Sequence, residues 1–259
     1  MQYHLDTIPV WEAMEQNTAC PLCALYRRVE AAEIERSLGG SVMEPDARIR
    51  VNEKGICARH HAQLFAMQNR LGHALLADSH TKELLKKLEG LEKKAAACEK
   101  RGLFGGGDGL EGVARDLEAL CRSCVVCDDI QGHMERYYYT FLHLWKSDTA
   151  FREKWQASRG VCLPHAADLL SRAQKHLGGS ARREFAASLL SLVKSNLAQD
   201  EKDLEWFTLK FDYRNQDKPW GNSKDAVERT LKKLQGHAAF GEGTDKNCLL
   251  YTSDAADDK

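Results

Sequence analysis

Apolar positions along the chain recur at helical spacing. Leu25, Val29, Ala32 and Ile34 fall roughly three or four residues apart, as one buried helix face would, until Gly39-Gly40 stops the run. Pro21 suits the first position of that helix because its missing N–H has no intrahelical partner there. A second helix opens at Gly55-Ile56-Cys57 and carries Leu64, Phe65 and Met67. A third runs from Ala74-Leu75-Leu76 through Leu84, Leu85, Leu88 and Leu91, with Lys86, Lys87, Lys93 and Lys94 on its solvated face. Farther on, Ile130, Met134, Tyr137 or Tyr138, Phe141, Leu144 and Trp145 mark another buried face. No alternating Val/Ile/Thr run of strand length appears, so the pattern predicts an all-α fold. Two stretches read otherwise: Ser41 to Lys54 is polar and irregular, and Pro9 predicts an extended arm leading into a short helical segment at Trp11-Glu12-Ala13-Met14.

The cysteines reveal a duplication. Cys20-Pro21-Leu22-Cys23 is followed by Gly55-Ile56-Cys57-Ala58-Arg59-His60; Cys124-Val125-Val126-Cys127 is followed by Gly160-Val161-Cys162-Leu163-Pro164-His165. Equivalent positions are offset by 104 or 105 residues. Leu177-Gly178 answers Leu71-Gly72, and Leu189-Leu190 answers Leu84-Leu85. The chain therefore divides into an arm (1–19), a first helical repeat (20–98), a Gly-rich linker (99–119), a second repeat (120–200), a C-terminal segment (201–246) and a tail (247–259). That tail resembles an in-frame translation of a sequencing adapter and is set aside.

Zinc takes four tetrahedral ligands from thiolate and imidazole, and two residues between ligands let one backbone turn wrap an ion. CxxC followed by CxxH, written twice, predicts two Cys3His zinc sites. The simplest pairing closes each site within its own repeat: Cys20, Cys23, Cys57 and His60 in one, Cys124, Cys127, Cys162 and His165 in the other. An iron–sulfur cluster or a metal-free thiol pair are the weaker alternatives. Cys121 offers a rival register with Cys124, and His61 a substitute for His60; the matched spacing favours the first assignment in each case. Cys98 reads as an ordinary thiol. Cys20-Pro21-Leu22-Cys23 also looks like a thiol-redox motif, without the strand-and-helix context one needs.

Composition narrows the setting. At 259 residues and 43% hydrophobic, the chain can bury one large core or two modest ones. A net charge of -1 argues against a broad nucleic-acid footprint. No apolar run approaches the ~18 residues of a membrane span, and the first residues lack a signal-peptide pattern. The expected compartment is the cytoplasm, where thiols stay reduced and paired cysteines favour metal over disulfide. The Gly-rich run Arg101 to Gly109 lacks the Lys-Ser/Thr ending of a phosphate loop.

Acids, bases and aromatics crowd between Asp200 and Gly221. The plain reading has Trp206, Phe207, Phe211 and Tyr213 capping the core above surface ion pairs. The sharper one is a ligand pocket in which Lys210, Asp212 and Arg214 face walls that include Trp206 and Trp220, with Asp212 and Arg214 partly buried as a pair.

With these motifs in view, the chain resembles the DUF6062 family of uncharacterised bacterial proteins. The matching words are Leu5-Asp6-Thr7-Ile8-Pro9-Val10-Trp11, both Cys/His half-site sets, Phe151-Arg152, and Trp206-Phe207 through Phe211-Asp212-Tyr213-Arg214 to Pro219-Trp220-Gly221. The resemblance spans about residues 3 to 236. It implies a bacterial cytoplasmic protein and carries no activity.

Three functions remain in view. The first is a non-enzymatic, zinc-stabilised module presenting a surface to a protein partner. The second is an enzyme, either a thiol or metal redox catalyst using the cysteines or a catalyst in the 203–220 region. The third is a nucleic-acid adaptor, which requires Arg27, Arg28, Arg48, Arg50, Lys54 and Arg59 to share a face.

Overall fold

The structure is a computed structural model that describes residues 3–16, 18–98 and 109–236. These form eleven α-helices, two short 3-10 turns and, among the described residues, no strand. The first half holds α1 (Tyr3–Glu15), α2 (Pro21–Leu38), α3 (Pro45–Lys54), α4 (Ala58–Ala66) and α5 (Arg70–Cys98). The second holds α6 (Gly109–Arg122), α7 (Val125–Ser147), α8 (Thr149–Gln156), α9 (Leu163–His176), α10 (Gly179–Leu209) and α11 (Ala226–Gln235). The order α2 to α5 runs parallel to the order α7 to α10, which is compatible with the sequence duplication. No helix among the described residues is long and apolar enough to cross a membrane.

Several sequence expectations are corrected. Residues 3–15 are helical through Pro9 and not an extended arm. The missing proline donor is outweighed by burial of Val10, Ala13 and Met14 and by Trp11 packing edge-on to Phe151 at 5.1 Å. The stretch 41–54 is also ordered: a 3-10 turn at Gly40–Met43 leads into α3, with Pro45 in its first turn and Gly55 as its C-cap. Of the expected linker, residues 99–108 lie outside the described residues, while 109–119 belong to α6. The boundary drawn at residue 200 falls inside α10. The tail 247–259 lies outside the described residues.

The fold divides into two compact units, which are not the two sequence repeats. One takes the described residues of Met1–Arg27 and Met134–Lys259, the other those of Arg28–His133. In the first, Trp145, Trp155, Phe141, Phe151 and Phe185 are fully buried, with Phe141 edge-on to Phe151 and Trp155 and Trp145 edge-on to Phe185 at 5.0 to 5.3 Å. Each such pair adds about 0.5–1.5 kcal/mol beyond its area burial. There α10 packs on α9 and α11. In the second unit α5 packs on α3 and α6, over Val51, Leu64 and Leu76. The expected apolar face of α5 is only partly used: Leu85 and Leu88 are exposed, whereas Lys87, assigned to the solvated side, reaches the Glu53 carbonyl at 2.6 Å.

Candidate metal centres

Each of the four Cys/His half-sites sits at a helix N-terminus. Pro21 starts α2 immediately after Cys20, Cys57 is the N-cap of α4, Cys124 precedes α7, and Cys162 is the N-cap of α9. Unpaired amide donors and the positive end of the helix dipole there favour thiolate. In the two CxxH half-sites a glycine two residues earlier turns the chain, Gly55 at φ 72 and Gly160 at φ 65.

The eight residues form two clusters, and the pairing is crossed. One contains Cys20, Cys23, Cys162 and His165; the other contains Cys57, His60, Cys124 and Cys127. Pairing within each repeat is therefore corrected: each cluster takes CxxC from one repeat and CxxH from the other. Each nonetheless lies wholly within one compact unit. In the second unit the local cause is visible. The Gly55 carbonyl accepts from Val125 N at 3.0 Å, Ser123 Oγ donates to the Lys54 carbonyl at 2.5 Å, and Lys54 pairs with Asp128. These bonds dock the CxxH of one repeat against the CxxC of the other.

Donor atoms converge as a tetrahedral ion requires. Four ligands at 2.0 to 2.3 Å imply donor separations of about 3.5–3.8 Å. In the first cluster His165 Nδ1 lies 3.4, 3.3 and 3.1 Å from the sulfurs of Cys20, Cys23 and Cys162, and Cys23 Sγ lies 3.6 Å from Cys162 Sγ. In the second, His60 Nδ1 lies 3.3, 3.3 and 3.5 Å from Cys57, Cys124 and Cys127, and the Cys57 and Cys127 sulfurs are 3.9 Å apart. Both imidazoles present Nδ1. The far nitrogen of His60, Nε2, meets Glu30 Oε1 at 3.1 Å, and Glu30 is also paired with Arg59. Such a carboxylate behind a ligating histidine fixes its tautomer and raises its basicity.

Charge follows geometry. Burial disfavours the His60 imidazolium, but the Cys124 sulfur and the Glu30 carboxylate overcome it and hold the ring at about 9. His165 behaves alike, burial opposed by the Cys162 and Cys20 sulfurs, and reaches about 10. Burial works against the Cys124 thiolate, yet its bond to His60 brings it down to about 6. Cys20 is likewise lowered despite burial, through Cys162, Cys23 and His165. Sharing with Cys162 and Cys20 raises Cys23, and burial together with the Cys124 charge raises Cys127. In each cluster one sulfur, Cys20 or Cys124, is thus favoured as thiolate beside an imidazole that favours its proton.

The alternatives lie elsewhere. His61 Nδ1 is 2.8 Å from His73 Nε2 in a stacked pair, Cys121 is exposed and belongs to neither cluster, and Cys98 donates to the Lys94 carbonyl. Glu30, missed in the sequence, sits with Glu33 on the buried face of α2 beside Val29 and Ile34. An acid interrupting an apolar stripe was the available signal.

The C-terminal stretch does not gather its charged ends around one point. Lys210 is buried, and its Nζ donates to the carbonyls of Asn215, Gln216 and Lys218 at 2.7, 2.7 and 2.6 Å, 5.1 Å from the Trp220 ring. Asp212 and Arg214 pair with each other at 2.5 Å; the Asp212 side chain, 26% exposed, is partly buried as expected, whereas Arg214 at 72% is not. Trp206 donates to the Pro219 carbonyl and Phe207 packs on Trp220, while Phe211 and Tyr213 are exposed and do not cap the core. Of the basic residues considered for nucleic acid, Arg48 bonds the Leu75 carbonyl, and Arg50, Lys54 and Arg59 are paired with Asp129, Asp128 and Glu30.

A family model described as a family of unknown function, DUF6062, matches residues 1–240. No curated protein matches the chain, and no solved structure does.

Proposed function

Because the chain belongs to the DUF6062 family, which has no assigned activity, we propose a function from geometry: a helical protein clamped by two zinc ions that serves as a non-enzymatic interaction module in the reducing cytoplasm. The observation that carries this reading is the pair of preassembled Cys3His donor sets, each with its ligand atoms within 4.8 Å of one another. A full complement of four protein ligands is the mark of a structural ion, since catalytic zinc keeps one position for water. Cys20, Cys23, Cys57, His60, Cys124, Cys127, Cys162 and His165 are the proposed ligands. Thiolate-rich tetrahedra also suit iron, which a spectrum distinguishes.

A protein partner is favoured over nucleic acid because the basic residues of α3 and α4 are engaged in bonds within the chain, whereas Leu85 and Leu88 on α5 and Leu110 and Leu117 on α6 are exposed. The test is metal analysis and a visible spectrum of protein purified without added zinc. About two zinc per chain and no colour are expected, with chelation lowering stability. Protein that holds no metal, or that carries iron with thiolate-to-iron absorption, overturns the zinc reading.

A further inference from the structure

We propose that the Cys57–Cys127 edge of the second cluster is a thiol modification site at which a peroxide oxidises the two sulfurs to a disulfide; its coupling to metal release rests on the metal reading above. The two clusters have the same donors but different cover. In the first, Cys162, Cys20, His165 and Cys23 are 0%, 3%, 6% and 7% exposed. Gly236 lies against it, where a Cβ would make ordinary contact at 3.4 Å from Cys162 Sγ and 3.8 Å from Cys23 Sγ. In the second, Cys124 and His60 are buried, but Cys57 is half-buried and Cys127 is exposed. Among the described residues, the second cluster is thus the one with a cysteine exposed at the surface.

A neighbouring thiol lets an accessible sulfur end as a disulfide when a peroxide oxidises it, and Cys127 has one. Cys57 Sγ is 3.9 Å away, so a disulfide requires the two sulfurs to close to about 2.05 Å. The Cys127 sulfur attacks one oxygen of hydrogen peroxide; an S–O bond forms, the O–O bond breaks, and the departing hydroxide takes a proton to leave as water. Cys57 sulfur then attacks the Cys127 sulfenic sulfur; the S–S bond forms, the S–O bond breaks, and a second water leaves with another proton. The two sulfurs lose two electrons in all and peroxide gains them. Cys124 and His60 remain as two donors, too few to retain an ion that took four.

The experiment uses the full chain as purified, its metal content measured first. Hydrogen peroxide is added, freed metal is followed with a chromogenic chelator, remaining thiols are alkylated, and cross-linked peptides are mapped by mass. One of two ions should leave at least tenfold faster than the other, together with a Cys57–Cys127 cross-link; the same should hold in Cys121→Ser, which removes an exposed thiol that belongs to neither cluster. Ions leaving at equal rates, a first disulfide at Cys20, Cys23 or Cys162, a Cys124–Cys127 link instead, or abolition by Cys121→Ser would each overturn the proposal. If the protein holds no metal, the metal reading fails separately, and the thiol site still predicts the Cys57–Cys127 link as the first disulfide formed.

Discussion

Crossed pairing can be separated from pairing within each repeat by counting ions in double variants. Cys23→Ser, Cys57→Ser and Cys162→Ser each remove one ligand, and each should lower zinc from about two to about one per chain. In the structure Cys23 and Cys162 share a cluster, their sulfurs 3.6 Å apart, while Cys57 belongs to the other. Cys23→Ser/Cys162→Ser should therefore still hold one ion, and Cys23→Ser/Cys57→Ser none. Pairing within repeats gives the reverse. Stability should follow the same logic. Structural zinc contributes about 10–16 kcal/mol of apparent binding free energy in small peptides, comparable to the whole ~5–15 kcal/mol stability of a domain. The first serine in a cluster forfeits most of that term, so a second in the same cluster adds about 1 kcal/mol or less, whereas one in the other cluster adds its own full loss. Native mass spectrometry gives the count and urea titration the coupling. A metal-free Cys23→Ser/Cys162→Ser beside a Cys23→Ser/Cys57→Ser that keeps one ion would refute the crossed assignment.

Gly55 has φ 72 and ψ -165, a region almost closed to residues with a Cβ, and an added Cβ would lie 2.5 Å from His80 Nε2; Gly55→Ala should cost about 3 kcal/mol in denaturant titration. Gly90, inside α5 with nothing within 4 Å of its Cβ position, is the contrast: Gly90→Ala should stabilise by about 1 kcal/mol. Arg229 is buried, bonded to Asp200 at 2.8 Å and Asp203 at 2.5 Å, so Arg229→Met should cost about 3 kcal/mol by stranding the buried Asp200 carboxylate; a loss within 0.5 kcal/mol in urea would count against the network. The metal-free second cluster should show a pH plateau. His60, raised from 6.5 to about 9, contributes stability that is complete below about 6.5 and lost as pH rises to 9. Cys124, lowered from 9.0 to about 6, contributes stability present above about 9 and lost as pH falls to 6. Between those limits folding moves one proton from sulfur to imidazole without net uptake, so this pair should add no slope from about pH 6.5 to 9. Chelator-treated protein compared with Cys124→Ser/His60→Gln should differ by a constant over that range; a difference that drifts by about 1.4 kcal/mol per pH unit contradicts the paired titration.

Helices with a clear apolar stripe were legible in the sequence. The α7 positions Ile130, Met134, Tyr137, Tyr138, Phe141, Leu144 and Trp145 are all buried. α3 was not, because its ten residues offer only Ile49 and Val51 as large apolar side chains and Ile49 is exposed; its end signals, Pro45 and Gly55, carried the information instead. The eight Cys/His positions that cluster were legible because spacing is local. Their pairing was not, because spacing between half-sites hardly discriminates. Closing Cys127 to Cys162, 35 residues apart, against Cys57 to Cys127, 70 apart, differs by only about 0.6 kcal/mol of loop entropy. A handful of hydrogen bonds such as Val125 N to the Gly55 carbonyl outweighs that. Lys210 misled for another reason: a lysine beside tryptophans reads as a pocket charge, and no sequence pattern shows three carbonyls folding over it.

Helix length supplies the remaining cause of the crossing. Cys23 lies in the first turn of α2, whose 18 residues span about 27 Å at 1.5 Å per residue. To return to Cys23, the chain after α2 would need to cover that distance before Cys57. Its main element on that path is α3, whose 10 residues span about 15 Å; the 3-10 turn before it is short and must also reverse the direction. In the second repeat α7 has 23 residues, about 34 Å, and α8, the only helix before Cys162, has 8 residues, about 12 Å. In both halves the outward helix exceeds the return helix by at least 10 Å, so a CxxH reaches the CxxC that precedes it only if the connecting residues, 39–44 or 157–162, run extended, and in the first half residues 40–43 are instead wound into a 3-10 turn. The complementary half-site of the other repeat meets no such shortfall, and both helix N-termini of a cluster then direct their unpaired amides toward thiolates. Neither half of the chain alone holds a complete set of four donors: each cluster draws its CxxC and its CxxH from different halves.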